Sequence, residues 1–288
     1  MIPARTILAP VDFSDASRGS LHCAGRLARQ WNAALHVIHA LDPLLATAAQ
    51  TRHLDLVGGT RDELTSFCVD SGVPTDVVPI LHVAVGPAAA TICGAALEHG
   101  ADLIVAGSRG LSGLNRLVMG TTVEKVIRHA RVSVLTVPGR CPGDDVANWG
   151  PIIAAVDDPE APQEVTRGAA ALATSLGAPL HVVHVVPPLP APARWRSDAD
   201  AAWQMRCDDA RRSLTAALRR LDVEPDNVHL ASGCVPDALA AEASRHTSTM
   251  PILVMGRAQP GHGHAPGSIA SRVIARATAP VLVYLESL

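Results

Sequence analysis

Short apolar segments alternate along the chain with longer segments whose apolar residues recur at helical spacing. Five segments of the first half have the length and composition of β-strands: 5–11, 34–40, 76–83, 102–106 and 133–137. Helices are predicted between them: 15–31, one within 44–71, 87–99 and 121–130. Such alternation predicts a parallel sheet with helices on both faces. A sheet of this kind binds ligands beyond the carboxyl ends of its strands.

The second half repeats this order. Four landmarks of the first half recur in it: Ile7–Asp12 as Ile152–Asp157, Leu35–His39 as Leu180–His184, Leu103–Gly107 as Ile252–Gly256, and Gly120-Thr121 as Gly267-Ser268. A repeat of about 145 residues is a whole domain rather than a solenoid unit. We therefore predict a tandem duplication with domains at 1–140 and 149–288, separated by a linker rich in Pro and Gly.

Composition narrows the class of protein. With 48% hydrophobic residues and 288 positions, each half can bury its own core. A net charge of −3 and 2% aromatic residues argue against nucleic-acid binding. No apolar run reaches the roughly 20 residues that span a bilayer, and no secretion signal is visible before the first strand. We expect a cytoplasmic protein without a membrane partner. Six scattered cysteines fit reduced thiols rather than disulfides.

A glycine-rich stretch follows the fourth predicted strand. It contains Gly107, Gly110 and Gly120, and a helix is predicted to begin at Thr121. Glycines permit positive φ and let an anion approach backbone amides, and Arg109 adds positive charge. This pattern indicates a phosphate cradle. The alternative is an ordinary loop before a helix, closed by a capping box between Thr121 and the glutamate three positions later.

The spacing G-x-x-G-x9-G-[ST] in this stretch resembles the ATP-binding signature of the universal stress protein family. Three further segments are similar to strands of that family: Ile7–Ser14, Leu35–Ala40 and Val134–Pro138. With the internal repeat, the similarity covers nearly the whole chain. It implies two tandem, doubly wound, five-stranded parallel-sheet domains of the α/β class, Rossmann-like and adenine nucleotide alpha hydrolase-like.

The resemblance also implies a cofactor, ATP with Mg²⁺, and the residues that hold it. These nucleotide-binding residues are Pro10, Val11, Asp12, Ala40, Gly107, Arg109, Gly110, Gly120, Thr121 and Thr122. Asp12 could accept hydrogen bonds from adenosine, whereas Ala40 offers its backbone and a small apolar surface. For Asp12 an alternative stays open, because Asp-x-Ser at a strand end could simply cap the next helix.

The repeat places a possible second nucleotide site in the other half. Its residues are Asp157, Val185, Gly256, Gly267 and Ser268. This loop is shorter, has Gln259 where the first loop has its second glycine, and contains two prolines that remove amide donors. We therefore expect nucleotide mainly in the first domain.

The same loop carries His262 and His264, with Cys234 or His246 as conceivable partners for a metal. Two histidines flanking a glycine lack the four-ligand frame of a structural zinc site, so no metal site is predicted. No catalytic residue is predicted either, because the sequence has no P-loop and no recognisable pair of nucleophile and base.

Three functions are compatible with the sequence. The first is a nucleotide-dependent regulator or stress-response module, with unknown protein partners. The second is a nucleotide-independent interaction scaffold, and the third is a slow ATP-hydrolysing or adenylyl-transferring enzyme. The resemblance further implies that the closing strands, Val134–Val137 and Val281–Tyr284, pair within one chain as a pseudo-dimer, and a homodimer of whole chains is a further expectation.

Overall fold

The computed structural model describes residues 2–108, 119–139, 149–246, 248–257 and 268–285. Strands and helices alternate through the first half. In chain order they are β1 Thr6–Pro10, α1 Asp15–Trp31, β2 Ala34–Leu41, α2 Pro43–Thr51, α3 Leu56–Asp70, β3 Ile80–Val85, α4 Ala88–Glu98, β4 Leu103–Gly107, α5 Thr121–His129 and β5 Ser133–Val137.

The second half follows the same order, with one long helix where the first half has two. Its elements are β6 Trp149–Val156, α6 Gln163–Leu176, β7 Leu180–Val186, a 3₁₀ turn Ala193–Trp195, α7 Arg196–Arg220, β8 Asn227–Ser232, α8 Val235–Ser244, β9 Met250–Gly256, α9 Ser268–Arg276 and β10 Val281–Tyr284. None of the described helices is long and apolar enough to span a bilayer.

All ten strands form one sheet, in the order β3-β2-β1-β4-β5-β10-β9-β6-β7-β8. Every neighbouring pair is parallel except β5 with β10. Each half is thus a doubly wound five-stranded unit, which confirms the predicted fold class. In each half the strand order reverses at the central pair, β1 with β4 and β6 with β9.

The two halves meet through the antiparallel pair of their closing strands, as predicted. Val281 lies opposite Thr136, and Leu282 opposite Leu135. The buried Thr136 hydroxyl donates to the Val281 carbonyl at 3.1 Å. Backbone groups that would otherwise form an open sheet edge are therefore paired within the chain.

Helices cover both faces of the sheet because the strands are apolar on both sides. Helix α1 is typical: the Ser14 side chain caps it, and Leu21, Ala24 and Ala28 on one face are buried against the sheet. Full burial of an aliphatic side chain such as Leu21 stabilises the fold by about 1.5–3 kcal/mol.

The expectation of one helix within 44–71 is wrong. Two helices occupy this segment because two aspartates start them: Asp42 accepts from the Leu44 amide, and Asp55 accepts from the Gly58 amide. Between the helices His53 adopts a left-handed conformation, with φ of 54°. Strand β3 also begins at Ile80, four residues later than predicted.

Candidate functional site

A cavity of about 300 Å³ lies at the carboxyl ends of β1, β2 and β4, where the strand order reverses. This volume is at the lower end of the range for small-molecule sites. Eight of the sequence-predicted residues line it: Pro10, Val11, Asp12, Ala40, Gly107, Gly120, Thr121 and Thr122. The other two predicted residues, Arg109 and Gly110, lie outside the described residues.

Asp12 has a structural contact as well as a place at the cavity rim. Its Oδ1 atom accepts from the Ser14 amide at 3.1 Å and from the Ser14 hydroxyl at 2.5 Å. Ser14 is itself the N-cap of α1, because its hydroxyl oxygen accepts from the Ser17 amide. The cap of this helix is therefore Ser14, and Asp12 orients the cap rather than replacing it.

Sequence reasoning missed His39, which lines the same cavity. Its Nδ1 atom donates to the Val11 carbonyl at 2.8 Å and so ties the end of β2 to the end of β1. A carbonyl can only accept, so Nδ1 carries the proton and the neutral ring leaves Nε2 as an acceptor. The repeat held a signal, because His184 makes the same bond to Val156 in the second half, at 2.9 Å.

Helix α5 begins at this cavity without a side-chain cap. Gly120 occupies the N-cap position, and no side-chain cap bond to the first amides is found among the described residues. Thr121 is already the first helical residue, so it does not form the capping box that is the alternative to a phosphate cradle. A helix start with unpaired amides and a positive dipole end favours a bound anion.

The two described glycines of the cradle do not adopt the positive φ that glycine permits. Neither Gly107 nor Gly120 has a positive φ, and Gly120 lies at −61°. Gly107 is needed for packing, since a Cβ there would lie 2.8 Å from the Ala16 carbonyl carbon of α1. The small size of Gly107 thus allows α1 to approach β4 closely.

The family model described as "Universal stress protein family" matches residues 3–138 and again 148–284. The chain belongs to the universal stress protein family. The two matches agree with the tandem repeat seen in the sequence and with the two five-stranded units of the sheet.

Similar proteins match either about half of this chain or nearly all of it. A universal stress protein of Thermus aquaticus is 32% identical over 140 residues, covering 46% of this chain and 98% of its own length. A solved structure of a functionally unknown protein from Pseudomonas aeruginosa covers 99% of this chain and 93% of its own, with a TM-score of 0.67 and 18% identity. A universal stress protein from Archaeoglobus fulgidus covers 97% of this chain and 98% of its own, with a TM-score of 0.61 and 17% identity. These structural likenesses support the fold.

The second half of this universal stress protein differs at the matching rim. Asp157 is exposed, and its Oδ1 accepts from the next amide, that of Asp158, at 2.9 Å. Pro159 stands where the first half has its capping serine, and α6 has no side-chain cap. Val185 is buried, and a Cβ on Gly256 would lie 2.9 Å from the Val165 side chain. Gly267 lies outside the described residues, and Ser268 is the first residue of α9.

Arg257 follows Gly256 directly and was not singled out from the sequence. Its guanidinium donates to the Ala130 carbonyl at 2.5 Å and to the Arg128 carbonyl, at the end of α5 in the first half. Burial lowers the pKa of this guanidinium. A cation at a helix C-terminus stabilises that end of the helix. This arginine therefore links the second-half rim to the first-half helix.

Proposed function

We propose that this chain is an ATP-binding universal stress protein that acts as a nucleotide-dependent regulator or stress-response module, with nucleotide held mainly in the first half. The observation that carries the proposal is the cavity itself. Asp12 and the start of α5, which has no side-chain cap, both line this cavity. It lies where the strand order reverses.

The lining of the cavity suits the parts of an adenine nucleotide. Pro10, Val11 and Ala40 offer small apolar walls for the adenosine, and Asp12 lies beside them. The amides of Thr121 and Thr122 at the start of α5 suit the phosphates, with Mg²⁺ as their counterion.

Ser108, next to Gly107, adds support for an anion in this region. It is 3% exposed, and its hydroxyl has no hydrogen-bond partner within the described chain. An unsatisfied buried hydroxyl costs free energy, so such groups usually serve a ligand or bound water. The Ser108 carbonyl accepts from the Gly120 amide at 3.1 Å, which places this residue beside the start of α5.

Binding, rather than catalysis, fits the side chains that line the cavity. The Ser17 hydroxyl donates to the Ser14 carbonyl at 2.9 Å, and the Nδ1 proton of His39 is held by Val11. Among the described lining residues, no hydroxyl is paired with a base as a nucleophile requires. We propose that any ATP hydrolysis is slow and incidental.

Regulation would follow from what the nucleotide touches. A ligand in this cavity contacts the ends of β1 and β2 together with the start of α5. Bound and free protein would then differ in the surface formed by these elements, and a protein partner could distinguish the two. The second half would bind nucleotide weakly, because its rim lacks the Asp–Ser pair of the first half.

The test is the melting temperature of the purified full chain with ATP, with and without Mg²⁺. A ligand that binds only the native state stabilises it by about 2.7 kcal/mol at 100 times its dissociation constant. Asp12→Ala should abolish the shift, and Asp157→Ala, its counterpart in the second half, should leave most of it. Ser14→Ala is the matched control for the cap, since it should cost about 1 kcal/mol of stability and still bind. No shift with millimolar ATP, or equal loss in the two aspartate variants, would contradict the proposal.

A further inference from the structure

Three histidines gather on the first half of the sheet, and none of them lines the candidate nucleotide site. His36 lies near the start of β2, His82 is on β3, and His99 directly follows α4. One ring nitrogen of each lies within 4.8 Å of the other two. Among the described residues, this is the one group of three or more His, Cys, Asp or Glu side chains that is close enough to share a metal ion.

The three rings are in direct contact. The Nδ1 atom of His36 and the Nε2 atom of His82 lie 2.9 Å apart, so one of them donates to the other. The ring centroid of His99 is 4.1 Å from that of His82 and 5.0 Å from that of His36. The half-buried rings would have to rotate so that one nitrogen of each points to a common position, at about 2.0–2.1 Å from a shared Zn²⁺ ion.

Two of the three rings, those of His82 and His99, line a cavity of about 490 Å³, which leaves room for a fourth ligand from solvent. Glu98 and Arg61 line it too, and the Arg61 guanidinium donates to the Leu81 carbonyl at 3.0 Å.

The second half has histidines at the three corresponding positions, but charged side chains contact one of them. His181 and His229 occupy the matching strand positions, and His246 follows α8 as His99 follows α4. Four positions before this last histidine, Glu242 replaces the alanine of the first half. Its Oε2 atom accepts from His229 at 2.7 Å and from Arg245 at 2.5 Å.

The two clusters differ in the side chains around them. In the second half Arg245 and the buried Glu242 contact His229, whereas the buried Nδ1 atom of His181 has no hydrogen-bond partner within the described chain. In the first half the corresponding helix positions hold Ala95 and Glu98, and Arg61 reaches the same cavity from α3. Among the described residues, only the first cluster has one ring nitrogen of each histidine within 4.8 Å of the other two, so it is the cluster that can share an ion.

We propose that His36, His82 and His99 form a binding site for a divalent transition metal of the Zn²⁺ class. Three imidazoles suit Zn²⁺, Cu²⁺ or Ni²⁺ rather than Mg²⁺ or Ca²⁺, which prefer oxygen ligands. Three protein ligands leave one coordination position open toward the cavity, as in open zinc sites. Ile38 lines both this cavity and the candidate nucleotide cavity, so the metal site adjoins the nucleotide site without sharing its polar residues.

The test is a titration of Zn²⁺ into the metal-stripped full chain, with binding measured by calorimetry. His262 and His264 are first replaced by glutamine so that this pair cannot contribute. One equivalent should bind, and His36→Gln, His82→Gln and His99→Gln should each weaken it at least about tenfold, since even outer-shell changes cost 10–100-fold. His246→Gln, the matched variant of the second half, should bind as the parent does. Unchanged Zn²⁺ affinity in all three first-half variants, or weakened Zn²⁺ affinity in His246→Gln, would overturn the proposal.

A second readout does not depend on the variants folding. Co²⁺ added to the parent chain should give the visible absorption bands of nitrogen ligation, and it should broaden the amide NMR signals of β2, β3 and the end of α4 first. Broadening confined to other parts of the chain would refute the site.

Discussion

His39 donates through Nδ1 to the carbonyl of Val11, and this bond joins the ends of the first two strands at the rim of the candidate site. Each strand end thereby fixes the other. Because the same bond recurs between His184 and Val156, it belongs to the architecture of both halves.

Removal of this bond should cost stability. His39→Leu leaves the Val11 carbonyl without its partner, and we expect the free energy of unfolding to fall by about 1–3 kcal/mol. His39→Asn, whose side-chain amide can reach the same carbonyl, should recover part of the loss. Urea unfolding of both variants measures the difference, and equal losses would show that ring packing rather than the bond is responsible.

Gly107 should not tolerate even a methyl group. In Gly107→Ala the new Cβ would lie 2.8 Å from a backbone atom of Ala16, so α1 or β4 must shift. We expect a loss of about 1–3 kcal/mol, as for other overpacked sites. Gly94→Ala is the control, because nothing lies within 4 Å of its Cβ and alanine in a helix gains up to about 1 kcal/mol over glycine. Thermal unfolding compares the two, and a stable Gly107→Ala chain would contradict the close approach.

The cysteines should differ sharply in reactivity. Burial raises the pKa of the Cys68 thiol to about 11, whereas Cys234 is exposed. Because the thiolate is the reactive form, iodoacetamide at neutral pH should label Cys234 and leave Cys68 unmodified until the chain unfolds. Peptide mass mapping in a Cys141→Ser background reads this out, and comparable labelling of the two thiols would contradict it.

Stability should fall in mild acid partly through His181. Burial and then the neighbouring His246 lower the pKa of His181, and together they outweigh the opposing carboxylates of Asp226 and Glu242. The unfolded chain therefore binds the proton more readily, so stability is highest above the ordinary pKa of 6.5 and is lost as pH falls through it. His181→Asn should flatten the change between about pH 8 and about pH 5.5 in urea unfolding with EDTA present. An unchanged slope would exclude this histidine as a cause.

Much of the fold could be predicted because its signals are local. The apolar strands and the repeat of Ile7–Asp12 in Ile152–Asp157 are visible in short windows, and parallel strands place their ends on one rim. For that reason the eight described residues of the predicted nucleotide site line one cavity. Bounds were less predictable within 44–71, where the Asp55 cap and the left-handed His53 divide one apparent helix into two.

Contacts between residues that are far apart in the chain could not be predicted from the sequence. His36 and His82 are 46 positions apart, and only the pairing of β2 with β3 brings them together. Arg257 reaches Ala130 across 127 positions and across the junction of the halves. Nothing in the residue types near either partner indicates such a contact.

The pairing of β5 with β10 has a consequence for how the two halves can differ. When identical chains associate through their last strands, association depends on protein concentration, and every change alters both partners. A covalent link replaces that dependence with a fixed effective concentration. Dilution cannot separate the pair, and each side can accumulate substitutions of its own. One side can therefore keep a rim fit for a ligand while the other, with Arg257 on the neighbouring helix end, becomes a permanent support for it.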